Sequence, residues 1–305
     1  LADIPSHTSH ATGGQKLLAH LAMIAFAALV AGSFSFGALA APHLGPSALN
    51  AVRFLLGTSI MGGVALVLLG GKVPPPRGGW RYLVLGALMA IFFVTMFVGL
   101  RIASPVSLGA VFTLMPLMAA VLGWALLGQV PRPVVIASLL LAGAGALWVI
   151  FGGNLDALLA FDIGAGEAIF VGGVACHALY AVLVRRFNRG EPVVAFTFWT
   201  LGATGLCIAL WGAREIAATD WTSLPAIVWI AVAYLAIFTT AGTFFLLQYA
   251  ALRLPASKVL AYNYLTPSFV ILYEGLLGHG WASGRVAMGA ALTVVGLLVM
   301  ALAPD

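Results

Sequence analysis

The chain alternates long apolar runs with short breaks rich in turn-forming residues. A helix rises 1.5 Å per residue, so about 20 mostly apolar residues cross the hydrocarbon of a bilayer. Ten runs qualify, over about 17–39, 47–70, 80–103, 106–128, 133–151, 166–187, 193–212, 225–251, 256–278 and 284–303. They are called spans 1 to 10. The breaks hold Pro42 and Pro46, the Pro74-Pro75-Pro76 run, Pro105, Pro131 and Pro133, Pro192, Pro225 and Pro255. No loop is long enough for a soluble domain; the longest, near 152–165, carries Asp156 and Asp162. Any activity must therefore lie among the helices. Residues 1–16 read as a short polar tail in which His7 and His10 are solvated. Residues 17–152 and 163–303 then form two five-helix units.

Composition agrees. Of 305 residues, 62% are hydrophobic and 8% charged, where soluble domains carry roughly 25% charged residues. Mean hydropathy is +1.09. The net charge of +5 is no nucleic-acid signature, because the basic residues stand in short loops, where they set orientation. With the N-terminus inside, ten fall at cytoplasmic ends: Lys16, Lys72, Arg77, Arg81, Arg132, Arg185, Arg186, Arg189, Arg253 and Lys258. Four fall outside: Arg53, Arg101, Arg214 and Arg285. This bias puts both termini in the cytoplasm, with anchoring as the expected role of all fourteen. Cys176 and Cys207 lie in apolar runs and read as packing residues rather than a disulfide.

The halves resemble each other. GLRIASPVSLGAVFTLMP ends at Pro116 and ALRLPASKVLAYNYLTP ends at Pro267. Arg101 aligns with Arg253, Pro105 and Ser107 with Pro255 and Ser257, and the intrahelical prolines match with a one-residue slip. Each half continues through Leu-Leu-Gly, at Gly128 and Gly278, to a last span. Five spans per half make the second half enter from the opposite side. The fold class is thus an all-α integral membrane protein of ten helices in two inverted repeats, an arrangement that places a binding site between the repeats near the midplane.

These residues resemble the drug/metabolite transporters of the EamA type over about 17–303. ACHALYAVLVRR, ending at Arg186, is similar to the opening of a repeat in that family; SALNAVRFLLG places Arg53 at its "lRf" position; spans 4 and 9 carry its proline. There are departures. Gln129 and His279 stand where the family commonly has an acid after Leu-Leu-Gly, and the second "lRf" position reads Phe198-Trp199-Thr200. The resemblance implies a cavity among spans 1, 3, 4, 6, 8 and 9, with spans 5 and 10 as buttresses. Within the superfamily it leans towards bacterial amino-acid exporters, including those for aromatic amino acids.

Polar groups in hydrocarbon must find partners or line water, so each is a candidate. The expected cavity set is Ser33, Phe36, Thr95, Thr113, His177, Tyr180, Tyr234, Thr240, Tyr262, Asn263 and Thr266. Other polar residues of the same helices are Ser35, Thr239, Thr243, Gln248, Tyr264 and Tyr273. His177 either serves the cavity or bonds a neighbouring helix. Glu274 either couples transport to protons or forms a buried salt bridge with Arg53 or Arg101; the alternative for Arg53 is to snorkel to the interface. Pro116 and Pro267 are the expected hinges. Gly289, Thr293 and Gly296, with Ala142, Gly143 and Ala146, are expected to pack the halves together.

The set is rich in rings and hydroxyls and nearly neutral, which suits small zwitterionic or amphipathic solutes. It suits nucleotide sugars poorly, since their phosphates would need several cationic side chains. Protease dyads, a His-Glu-x-x-His zinc site and phosphate-binding glycine loops are absent from the sequence. The expectation is therefore no enzyme, no cofactor and no metal. It is an inner-membrane exporter of amino acids or similar metabolites, broad in specificity and uniporter-like, whose partners are a small solute and lipid. A lipid or drug flippase, or a proton-coupled drug carrier of the same fold, is the alternative. Monomer and homodimer both stay open.

Overall fold

A computed structural model describes residues 13–302 apart from 129, 131, 162, 252 and 255. His7, His10, Gln129, Pro131, Asp162 and Pro255, and the side chains of Arg185, Gln248 and Ser257, lie outside the described residues. The described chain is helical throughout its spans.

Spans 1 to 3 are continuous helices: Gly13–Ala40, Pro46–Leu68 and Gly79–Leu100. Span 1 thus starts one turn before the expected residue 17. Span 4 is Pro105–Phe112 followed by Met115–Leu127, and span 5 is Pro133–Ile150. Spans 6, 7 and 10 are Ala165–Phe187, Val193–Trp211 and Gly284–Leu302. The loop at 152–165 contains a short helix, Leu155–Ala160, that sequence did not predict. Among the described residues nine helical stretches are long and apolar enough to cross a membrane. The tenth crossing, span 9, is broken into Ala256–Ala261, a 3₁₀ turn Tyr262–Leu265 and Thr266–Leu276, no piece of which spans alone.

Local chemistry places the ends. Proline opens spans 2, 4 and 5, where its missing N–H costs nothing and its φ is already helical. Ser104 caps span 4 by accepting from the Ser107 N–H at 3.1 Å. Gly128 closes span 4 in the left-handed region at φ 65°. Span 2 takes its cap from elsewhere: Glu215 Oε1 accepts from the Ser47 and Ala48 amides at 2.8 and 2.9 Å. That carboxylate ties the span 7–8 connection to the start of span 2.

The interruptions follow proline. A helical proline lacks the N–H for the carbonyl four residues back and collides with it. Four residues before Pro116 is Phe112, where the first helix of span 4 stops. Four before Pro267 is Asn263, inside the 3₁₀ turn. Span 8 is irregular without proline. It runs Ala226–Ala236, then a π-helical turn Ile237–Gly242, then Thr243–Ala251.

Packing obeys a two-fold relation between halves. Span 5 lies on span 10 and span 2 on span 7. Span 3 packs on span 6 as span 8 packs on span 1, and span 6 packs on span 4 as span 1 packs on span 9. Under the alignment of spans 1–5 with 6–10, each contact maps onto its partner. With five crossings per half, this is an inverted repeat.

Small residues allow the close approaches. A Cβ on Gly145 would lie 2.6 Å from the Gly289 carbonyl oxygen, and one on Gly296 would lie 2.8 Å from the Ala142 Cβ. Ser138 donates to the Gly296 carbonyl at 2.7 Å. The glycines of spans 5 and 10 therefore join the halves, as expected. Gly143 differs, facing Leu117 of span 4. The outer surface keeps large apolar side chains such as Leu55, Val67, Leu210 and Phe245 exposed, as lipid requires.

Candidate functional site

The face at which span 1 begins is called the near face. Odd spans start there and even spans end there. The candidate residues fall into four groups rather than one.

Midway along span 6, the His177 ring lies 4.4 Å from that of Phe92 and 5.8 Å from that of Phe112, stacked on the latter. Tyr180 follows at 6.0 Å and packs beside the Tyr82 and Phe196 cluster. Phe34 and Phe170 complete a ring-lined centre between spans 1, 3, 4 and 6. His177 Nδ1 is buried there without a hydrogen-bond partner. The nearby hydroxyls serve their own helices. Thr95 donates to Ile91 and Phe92, and Thr113 to Ala110.

Nearer the far face, the Phe36 ring lies tilted at 4.5 Å from that of Tyr234 and at 6.2 Å from that of Tyr273. Both phenols donate into span 1, Tyr234 to the Leu29 carbonyl and Tyr273 to that of Ala28, each at 3.1 Å. Gly32 leaves the space that the Tyr234 hydroxyl fills. Ser33 is buried one residue on.

Nearer the near face, the Tyr262 hydroxyl lies 2.6 Å from His20 Nδ1. The 3₁₀ turn that presents Tyr262 also buries three polar atoms without partners: Asn263 Oδ1, the Tyr264 hydroxyl and, one residue further, Thr266 Oγ1.

The fourth group centres on Arg53, and the structure corrects its expected place. The side chain does not snorkel; it is 2% exposed. Its guanidinium lies 4.3 Å over the Phe93 ring and donates from Nη2 to Thr239 Oγ1 at 3.1 Å. Thr239 and Thr240 sit in the π-turn of span 8. Both donate to the Leu235 carbonyl, leaving the Thr239 oxygen to accept from Arg53. Nε and Nη1 of Arg53 have no partner.

Glu274 does not bond Arg53 or Arg101. Its Oε2 lies 2.7 Å from His279 Nδ1, because the chain turns back after span 9 and brings His279, at the family's acidic position, onto it. Arg101 is exposed at the end of span 3 and serves as an interfacial charge. The anchoring expectation also fails at Arg81, which is fully buried at the near face. It bonds Glu191 at 2.7 Å and donates to the Phe187 and Arg77 carbonyls. Lys258 is buried too. Desolvation opposes ionisation of Glu191, but the Arg189 amide and Arg81 hold its carboxyl below the usual carboxylate range.

Sequence reasoning missed His20, Asn50, Arg81 and the π-turn. The signal for Asn50 was its place one turn before Arg53; the π-turn carries no proline to announce it.

Known proteins match this arrangement. Residues 17–151 and 164–302 each match the EamA-like transporter family. The uncharacterized transporter YyaM of Bacillus subtilis (strain 168) is 27% identical over 284 residues, 92% of each chain. The uncharacterized transporter YwfM of the same organism is 24% identical over 279 residues, 88% of each. A protein of known crystal structure superposes with a TM-score of 0.68 at 22% identity, covering 96% of this chain and 99% of its own, which shows the shared fold.

Proposed function

The chain belongs to the EamA-like transporter family, and we propose that it exports small amino acids or similar metabolites across the inner membrane by alternating access. It is a transporter and not an enzyme. The observation that carries the substrate class is the interior: rings around His177, phenols, hydroxyls and the Asn263 amide on spans 8 and 9, and the buried Arg53 on span 2. Rings supply contact area and hydroxyls orientation for a zwitterion, whereas phosphate esters would ask for more cations.

The cycle is read from the paired breaks. Pro116 and Pro267 interrupt helices related by the two-fold, so each half carries one point of flexure. Motion at one opens the near face and motion at the other opens the far face. Span 1 is braced to span 9 at both levels, by His20–Tyr262 and by Ala28–Tyr273. The charge bias makes the near face cytoplasmic.

Transport is passive in this reading. A proton-coupled carrier needs an ionisable group that substrate reaches and the membrane forces to change charge. Glu274 is engaged by His279 near the far end of span 9, and the ring neighbours of His177 are aromatic. Counterflow of radiolabelled amino acids in proteoliposomes, with unlabelled competitors, tests the substrate class.

One observation favours a flippase as second reading. An apolar groove of about 400 Å³ lies between spans 2 and 7, lined by Val52, Leu55, Gly202, Leu206 and Trp221 among others. Lipid scrambling without amino-acid counterflow would select it.

A further inference from the structure

We propose that Arg53 and Asn50, one turn apart on span 2, form a two-pole subsite for the carboxylate and ammonium groups of a zwitterionic solute. The proposal rests on the reading above that the cargo is an amino acid or a close relative.

The surroundings of Arg53 are an energetic anomaly. A guanidinium buried in a membrane protein needs acceptors, because desolvation of the charge is costly. Arg53 finds one hydroxyl acceptor and two ring faces, Phe93 at 4.3 Å and Phe54 at 5.7 Å. A guanidinium has five N–H donors arranged as two forked edges that share one nitrogen, and that nitrogen contributes one hydrogen to each edge. Thr239 engages a single hydrogen of Nη2, while Nε and Nη1 have no partner. One complete two-donor edge is therefore left, and such an edge fits a carboxylate.

Asn50 carries the opposite deficit. It is fully buried, and its Nδ2 donates to the Pro46 carbonyl at 2.9 Å and the Phe93 carbonyl at 3.3 Å. These two acceptors fix which end of the amide is nitrogen. The other end, Oδ1, is an acceptor with no partner, suited to an ammonium group. Residues three apart share a helix face with Cβ atoms about 5–6 Å apart. Both side chains converge on Phe93, Asn50 on its carbonyl and Arg53 on its ring. The unmet donors and the unmet acceptor therefore belong to two buried side chains that share the Phe93 side of span 2. A carboxylate alone would leave Asn50 unanswered, and an amine alone would leave Arg53 so. The π-turn of span 8 closes over Arg53 through Thr239, which makes it the element that must shift for loading.

The test uses purified full-length protein, with L-phenylalanine, L-phenylalaninamide and 3-phenylpropanoate as competitors of phenylalanine counterflow. Thermal stabilisation by the same compounds is the parallel binding measurement. In the wild type, removing either charged group weakens competition by about tenfold or more, the scale of a charge-assisted hydrogen bond. Arg53→Met abolishes the preference for acid over amide, and Asn50→Leu abolishes only the preference for the ammonium. Arg53→Lys keeps the charge without the fork and holds part of the acid preference. Arg214→Gln, an exposed arginine, serves as control and changes neither. Arg53→Met keeps or raises the melting temperature, since it removes an under-satisfied charge; a structural role would lower it. Equal competition by acid and amide in the wild type overturns the proposal even if a variant fails to fold, as does an undiminished acid preference in Arg53→Met. If no amino acid is carried or bound, the substrate reading fails first. The same acid–amide comparison with other small metabolites then decides the subsite, which falls if no carboxylate stabilises the wild type over its amide.

Discussion

His20 Nδ1 and the Tyr262 hydroxyl lie 2.6 Å apart, joining the first turns of span 1 to the 3₁₀ turn of span 9. In the proposed cycle the pair acts as a closure at the near face. Removing it with Tyr262→Phe forfeits about 0.5–1.5 kcal/mol, a few-fold change in an open–closed equilibrium. In a background with Cys176 and Cys207 replaced by alanine, a cysteine at Asn263 should react several-fold faster with a membrane-impermeant thiol reagent applied from that face. Unchanged labelling would remove the pair from gating.

The far-face counterpart predicts a steric result. A Cβ at Gly32 would occupy the place of the Tyr234 hydroxyl, so Gly32→Ala must push Tyr234 off the Leu29 carbonyl. Transport should change markedly, while Gly63→Ala, which meets nothing, should cost little beyond a minor packing effect. Wild-type rates in both would dissociate Tyr234 from the cycle.

The prolines predict loss by repair. Proline costs about 3 kcal/mol in a helix interior, so Pro116→Ala with Pro267→Ala favours continuous helices. Counterflow should fall more than about tenfold, the factor carried by 1.4 kcal/mol, without loss of melting temperature. Full transport by the double variant would refute the hinges.

The spans and their proline breaks were legible because hydropathy and proline act locally. The packing of span 5 on span 10 was legible through Gly289 and Gly296. Side-chain partners were not. Both faces of each span are apolar, so pattern does not reveal which face meets protein and which meets lipid. Arg53 lies near enough to a span end to read as an interfacial anchor, yet Phe93 and Thr239 cover it. Glu274 read as a partner for arginine because the return of the chain to His279 is tertiary information. Arg81 entered the charge bias as one more basic residue while its ion pair with Glu191 stayed hidden.

That ion pair predicts a pH response. The folded pKa of Glu191 is depressed, so its stabilising contribution is present above the unfolded carboxylate pKa. It is lost as pH falls through the lower, folded value. Thermal stability should thus hold from neutral to mildly acidic pH and drop below the ordinary carboxylate range. Glu191→Gln should flatten that drop. Arg81→Ala should be the more damaging change at neutral pH, since it also strips the Phe187 and Arg77 carbonyls of their donor.

The central claim is passive carriage of an amino-acid-like solute. Its most direct test is uptake of radiolabelled amino acid into proteoliposomes with and without an imposed pH gradient. The account predicts equilibration to the same level in both cases, with the gradient changing neither the endpoint nor its insensitivity to a protonophore. Accumulation above equilibrium that collapses with a protonophore would contradict it, and Glu274→Gln and His177→Gln would then identify the proton carrier.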